Sequence, residues 1–271
     1  MSQFKKILVV LVLVFSISCA GKKQSGFSFV QLCDTQLGFG LENYETDLET
    51  FKQTVVRVNE LNPDFVVICG DLVHHPCDST YADFLKIKEG FKMPCYLASG
   101  NHDVGTLPND TTLGLYRRII GKDYFEFQHK GYSFIVTNTQ LWKADTGNES
   151  AKHDEWFKEM LKNQSAKQFP VFVIGHHPLY IKFFDEEEKY FNFPPEKRKE
   201  LLDLFQQNNV VAYLSGHAHE VIVNNYNGIQ LVSGETTSRN FDNRPFGFRL
   251  WQVTADSIKQ DFVPLHPSVI E

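Results

Sequence analysis

The chain reads as one α/β domain with a mixed sheet architecture, and three features of its 271 residues predict this. Apolar, β-rich runs of strand length alternate with amphipathic helical patterns. Five of those runs empty directly into carboxylate, amide or imidazole side chains. The C-terminal stretch abandons the alternation for what reads as two antiparallel strands, so the sheet content is mixed rather than purely parallel.

The strand-like runs are FSFVQLC, FVVICG, CYLAS, YSFIVTN, FPVFVIG, VVAYLSG and GIQLVSG. Between them, Leu48, Phe51, Val55 and Val58 recur at steps of three and four, with an acidic start before them and Pro63 beyond, which predicts a helix. Trp156, Phe157, Met160 and Leu161 mark a second helical face, and PPEKRKELLDLFQQN opens a third helix with proline in its first turn. FGFRLWQVTADSIKQDFVPL reads as the antiparallel pair, turning at Ala255, Asp256 and Ser257. Repeats, low-complexity stretches and long linkers are lacking.

The N-terminus departs from this pattern. Lys5 and Lys6 precede the apolar run Ile7 to Phe15 and the small residues SISCAG, the layout of an export signal and about half the roughly 20 residues a membrane span needs. Cys19 resembles the lipidated cysteine of a bacterial lipobox, although Ser16 stands where such signals carry leucine. The expected organisation is therefore a signal peptide over 1–19, a short tether over 20–26 and the folded domain over 27–271. This places the protein in the bacterial cell envelope, on the periplasmic face or the surface, touching membrane only through the lipid anchor. Loss of the first 18 residues removes two lysines and no acid from a chain of net charge −6, and no basic patch suggests nucleic acid. Cys33 and Cys69 sit in apolar runs and read as buried free thiols, while pairing of Cys77 with Cys95 stays open.

On this framework the polar residues fall at strand ends. FSFVQLC runs into Asp34 and Gln36, FVVICG into Asp71, CYLASG into Asn101, His102 and Asp103, FPVFVIG into His176 and His177, and VVAYLSG into His217 and His219. Carboxyl ends of strands in open α/β sheets are where ligand crevices lie, so these termini are expected to converge. Each piece alone reads as an ordinary turn, cap or buried histidine; the ordered combination does not. Alternation along an extended segment would let Asp34 with Gln36, or His217 with His219, supply two ligands to one side. Carboxylate, amide oxygen and imidazole suit divalent first-row cations, and Asp71 is the acid best placed to bridge two of them. Two cations about 3.5–4 Å apart polarise a phosphoryl group and activate hydroxide for in-line attack, which points to phosphate ester hydrolysis.

The ordered set Asp34-x-Gln36, Gly70-Asp71, Gly100-Asn101-His102-Asp103, Gly175-His176 and Gly216-His217-Ala218-His219 resembles the calcineurin-like metallophosphoesterase superfamily. The resemblance runs from about residue 27 to the end of the chain. It implies a four-layered α/β/β/α sandwich, two mixed sheets flanked by helices in a single domain. It implies two divalent metal ions, one held by Asp34, Gln36, Asp71 and His219, the other by Asp71, Asn101, His176 and His217. His102 then resembles the residue that contacts phosphate and protonates the leaving oxygen, with Asp103 orienting its imidazole, and Asn101 lies against substrate as well. KDYFEFQHKGYSFIVTNTQ, KYFNFPPEKRKELLDLF and RPFGFRLWQVTADSIKQDF look more closely like a branch of that superfamily whose members are described as serine/threonine phosphatases.

One position departs from the superfamily, which mostly carries histidine where this chain has Gln36. An amide oxygen is a harder and weaker ligand than imidazole, which favours manganese, iron or magnesium over zinc. The expected substrate is a phosphomonoester, small or on a phosphoprotein; the alternatives are a phosphodiesterase, a nucleotide pyrophosphohydrolase, or a lipid-anchored metal- or phosphate-binding protein without turnover. Arg239, Asn240 and Arg244 lie on a loop within reach of the crevice, where an arginine fork would match phosphate oxygens. His177 reads as an outer hydrogen-bond partner and Asn138 as a possible substrate contact. DEEEKYF at 185–191 is either a solvated acidic loop or a lid.

Overall fold

The computed structural model describes residues 26–40 and 42–266. The expected signal segment with Cys19, and all of the tether but Gly26, lie outside the described residues. Along the chain come β1 (Phe27–Leu32), α1 (Tyr44–Leu61), β2 (Phe65–Cys69), α2 (Asp78–Lys88), β3 (Cys95–Ala98), α3 (Asn101–Val104) and α4 (Asp110–Ile119). The second half adds β4 (Phe125–His129), β5 (Tyr132–Val136), α5 (Gln140–Lys143), α6 (Asn148–Ala166), β6 (Val171–Ile174), α7 (Pro195–Gln207), β7 (Val210–Ser215), β8 (Ile222–Tyr226), β9 (Ile229–Ser233), β10 (Gly247–Val253) and β11 (Ile258–Pro264).

These strands form two mixed sheets, of order β11-β10-β1-β2-β3 and β4-β5-β6-β7-β9-β8. β1, β2 and β3 are parallel, as are β5, β6, β7 and β9, while the strands at one or both margins run antiparallel. The sheets pack face to face, with helices on both outer faces. In β1, Phe27 and Phe29 point between the sheets while Val30 and Leu32 point to the helical side. Burial on both faces is why the central strands read as continuous apolar runs instead of alternating ones.

The layer between the sheets is aromatic: Phe29 stacks on Phe65 at 4.9 Å and on Trp251 at 5.6 Å, and Phe134 on Phe172 at 4.9 Å. Its few polar groups are paired, for example the Trp251 indole donating to Gln31 Oε1 at 2.9 Å. α1, α2 and α4 cover the first sheet through Phe51, Val55, Tyr81, Phe84, Leu113 and Tyr116. α6 and α7 cover the second through Phe157, Leu161, Leu201, Leu202 and Phe205. The Asn43 side chain caps α1 by accepting from Thr46 N, and Asn62 closes it in the left-handed region at φ 49°. The four described cysteines are unbonded, Cys33 and Cys69 buried and Cys77 exposed. All seven parallel strands point their carboxyl ends to one rim, where the polar loops gather.

Candidate active site

Asp34 and Gln36 leave β1 in a loop zipped to the one leaving β2. Gln36 N donates to Asp71 O at 2.8 Å, and Leu37 bridges Val73. The expectation that Asp34 with Gln36, and His217 with His219, share a side through extended alternation does not hold. All four have positive φ, at 47°, 32°, 68° and 52°, and so does Asp71 at 49°. Each loop therefore turns through the left-handed region at the functional residue itself, a strained conformation held by its surroundings and typical of such sites. Two glycines make room: a Cβ on Gly100 would overlap Asp71 Oδ1, and one on Gly216 would overlap Asp34 Oδ2.

The seven expected ligands come together, and all are at least nine-tenths buried: Asp34, Gln36, Asp71, Asn101, His176, His217 and His219. Ligand atoms of Asp71, His176 and His217 lie within 4.8 Å of one another. His176 Nε2 is 3.3 Å from Asp71 Oδ2 and 3.1 Å from Asn101 Oδ1, and His219 Nε2 is 3.7 Å from Asp34 Oδ1. Outer partners set the rings. His176 Nδ1 donates to Cys69 O at 2.7 Å and His219 Nδ1 to Arg239 O at 2.5 Å, which turns each Nε2 toward the acids. His217 Nε2 donates to Tyr190 O at 3.2 Å and leaves its Nδ1 lone pair inward. His177 stands behind, its Nδ1 on Thr139 Oγ1 at 3.2 Å and its ring 4.1 Å from that of His217.

This donor set fits a pair of divalent cations. Burial raises the Asp34 carboxyl; burial also opposes ionisation of Asp71, but the His176 charge and hydrogen bond outweigh it and hold that carboxyl low. Burial likewise opposes protonation of His176, yet Asp71 and Asp34 raise it to about 10, so two buried acids draw positive charge into their midst. Gln36 Oε1 is buried with no hydrogen-bond partner, an orphan acceptor suited to a hard cation.

His102 lines a cleft of about 210 Å³ with Gln36, Phe39, Asp71, Tyr190, Phe191, His217, His219 and Phe241. Its backbone N–H donates to Asp71 Oδ1 at 2.8 Å, and its ring Nδ1 lies 3.1 Å from His74 O, so Nε2 is the nitrogen left for a ligand. Asp103 is corrected here. Its carboxylate accepts from Gly100 N at 2.8 Å and Leu72 N at 3.1 Å, and from the Tyr81 hydroxyl, binding the β2 and β3 loops together; it makes no hydrogen bond to the His102 ring. Burial and the Asp71 charge raise it to about 8.

Of the outlying residues, Arg239 sits at the rim, its guanidinium 5.5 Å from the Phe39 ring centre and 5.6 Å from that of Phe241. Arg244 instead pairs with Glu235 at 2.9 Å, and Asn240 is spent on Thr236 N and the carbonyls of Arg244 and Pro245. Asn138 is fully buried, donating to Asp123 and accepting from Gln140 N, and is not among the residues that line the cleft. The acidic segment at 185–191 reaches the site through Tyr190, whose hydroxyl accepts from Asn101 Nδ2 at 3.4 Å. Sequence reasoning missed His74, Phe39 and Phe241. All belong to loops whose length and composition carry no periodic signal.

A two-sheet sandwich whose strand ends gather carboxylates, amides and imidazoles around one cleft defines a metallophosphoesterase, a hydrolase of phosphoester bonds. Residues 27–221 match the family model described as calcineurin-like phosphoesterase, and the chain belongs to that family. It is 31% identical over 263 residues to the serine/threonine-protein phosphatase CPPED1 of Bos taurus, the match covering 88% of this chain and 84% of the relative. The Homo sapiens protein of the same name is also 31% identical, over 264 residues, with the same coverage. In structure, the chain resembles a dimetal phosphatase from Danio rerio at a TM-score of 0.68 and 12% identity, over 89% of this chain and 96% of that one.

Proposed function

We propose that the chain is a binuclear phosphomonoesterase, acting on small phosphomonoesters or phosphorylated serine and threonine side chains. The observation that carries this is the buried ligand set built around Asp71, with His102 on the wall of the same cleft. Asp34, Gln36, Asp71 and His219 would hold one cation, and Asp71, Asn101, His176 and His217 the other. When bound, the cations supply Lewis acidity at the phosphoryl oxygens and a nucleophile at neutral pH. The chain's own residues do the rest. The Asp71 backbone and carboxylate tie the loops of Gln36 and His102 to one frame. His102, its Nδ1 turned to His74 O, presents Nε2 to hydrogen-bond the phosphoryl group and protonate the leaving oxygen.

The similarity to phosphatases named for serine and threonine supports the monoester reading. The hard amide oxygen of Gln36 supports manganese, iron or magnesium over zinc. The test is steady-state hydrolysis of p-nitrophenyl phosphate against bis-p-nitrophenyl phosphate with and without manganese. Metal-dependent turnover that prefers the monoester is expected; preference for the diester would overturn the monoester reading. Export and lipidation at Cys19 are proposed with it, on the sequence pattern alone. Cys19→Ser should move the protein from the detergent phase to the aqueous fraction.

A further inference from the structure

The amide of Gln36 can face the acids with either its oxygen or its nitrogen, because the terminal sp² torsion of a glutamine has two broad, nearly equivalent wells. In this chain the choice is made by His74. Gln36 Nε2 lies 3.3 Å from His74 Nδ1, while Gln36 Oε1 on the opposite side is buried and unpartnered. The residue as a whole is 1% exposed. With its ring proton on Nε2, His74 accepts the amide N–H at Nδ1 and leaves the oxygen as the atom aimed into the site.

His74 is itself held in three ways. Its backbone N–H donates to Leu37 O at 3.0 Å, its ring stacks on Phe39 at 4.8 Å and 29°, and it stacks on His102 at 4.5 Å and 29°. The stacking and the amide contact are separable functions of one ring. We propose that His74 is a positioning residue that locks the Gln36 amide with Oε1 in the first metal position, substituting a two-residue ligand for a single imidazole. The inference rests on the binuclear reading above and adds to it a residue that acts on metal affinity rather than on substrate.

Two variants divide the functions. His74→Phe keeps a flat ring for Phe39 and His102 but has no acceptor; His74→Asn loses the ring but places Oδ1 near the position of Nδ1. Binding of manganese(II) alone to the purified chain, followed by calorimetry and electron paramagnetic resonance, is the readout. The phenylalanine variant is expected to bind one of two ions about 10- to 100-fold more weakly, the usual cost of an outer-ligand change. The asparagine variant is expected to stay near wild type. In a Gln36→Ala background, adding His74→Phe should cause no further loss of manganese affinity. Wild-type affinity at both sites in the phenylalanine variant, loss of the first ion in the asparagine variant, or a further loss in the double variant would each overturn the proposal. Should circular dichroism show the phenylalanine variant unfolded, the asparagine result decides. A wild-type chain binding fewer than two manganese ions would instead overturn the binuclear reading.

Discussion

Asp71 is the residue on which most of the site depends: its carboxylate meets His176 and the His102 backbone, and its carbonyl meets Gln36 N. His102, by contrast, sits on the cleft wall, its ring held by Nδ1 on His74 O and by stacking on His74, so its imidazole can be removed without taking away a ligand atom. His102→Ala is therefore expected to lower turnover about 100- to 10,000-fold, the range for a lost general acid, while elemental analysis still finds the bound metals. Unchanged turnover would remove His102 from the chemistry. The family resemblance implies that Asp103 orients that imidazole. It belongs instead to the loop frame, since the short α3 turns consecutive side chains to different faces.

At the scale of elements, the segment between β6 and α7 lines one wall of the cleft through Tyr190 and Phe191, and two charged groups hold it. Arg198 of α7 is buried and donates to the carbonyls of Leu179, Phe184, Glu186 and Phe193. Glu186 accepts from Ile181 N at 2.6 Å, Lys182 N at 2.8 Å, Phe183 N at 3.1 Å and Asn192 Nδ2 at 2.6 Å. Burial opposes its ionisation, but these donors outweigh it and pull the carboxyl down from 4.5 to about 2. A group depressed in this way stabilises the folded state above its unfolded value and loses that contribution as pH falls toward its folded one. Glu186→Gln is expected to cost about 1 kcal/mol near pH 7, below the usual range for a charged acceptor because the carboxylate is partly solvated. Denaturant melts of the two proteins should converge as pH drops from about 4.5 toward 2; a difference that stays constant with pH would place the effect elsewhere.

For the whole molecule, the two sheets meet at their polar rim where buried Asp34 and Asp71 of the first face His176 and His219 of the second, so cations that bind only the folded chain should stabilise it. An ion at about 100 times its dissociation constant adds about 2.7 kcal/mol, or roughly 5–10 °C in Tm for a chain of this size. Manganese is expected to raise the melting temperature by that amount per site, and a chelator to return it. A melting curve indifferent to both would contradict the cation fit.

How much of this was legible depends on where each side chain points. The central strands were readable because both faces are buried, making Phe65 to Cys69 or Val171 to Ile174 continuous apolar runs. β4 and β8 were not, since they lie at the margins and their half-exposed runs FEFQH and IVNNY carry little apolar signal. The sequence by itself determined the α/β class and which carboxylate, amide and imidazole side chains gather, because parallel strands deliver their ends to one rim. Only the tertiary structure decided how those residues are aimed. The left-handed turns at Asp34, Gln36, Asp71, His217 and His219 are imposed by packing between loops. For the same reason His74, an unremarkable half of a His-His pair in sequence, reaches Gln36, 38 positions away, only once β1 and β2 lie side by side.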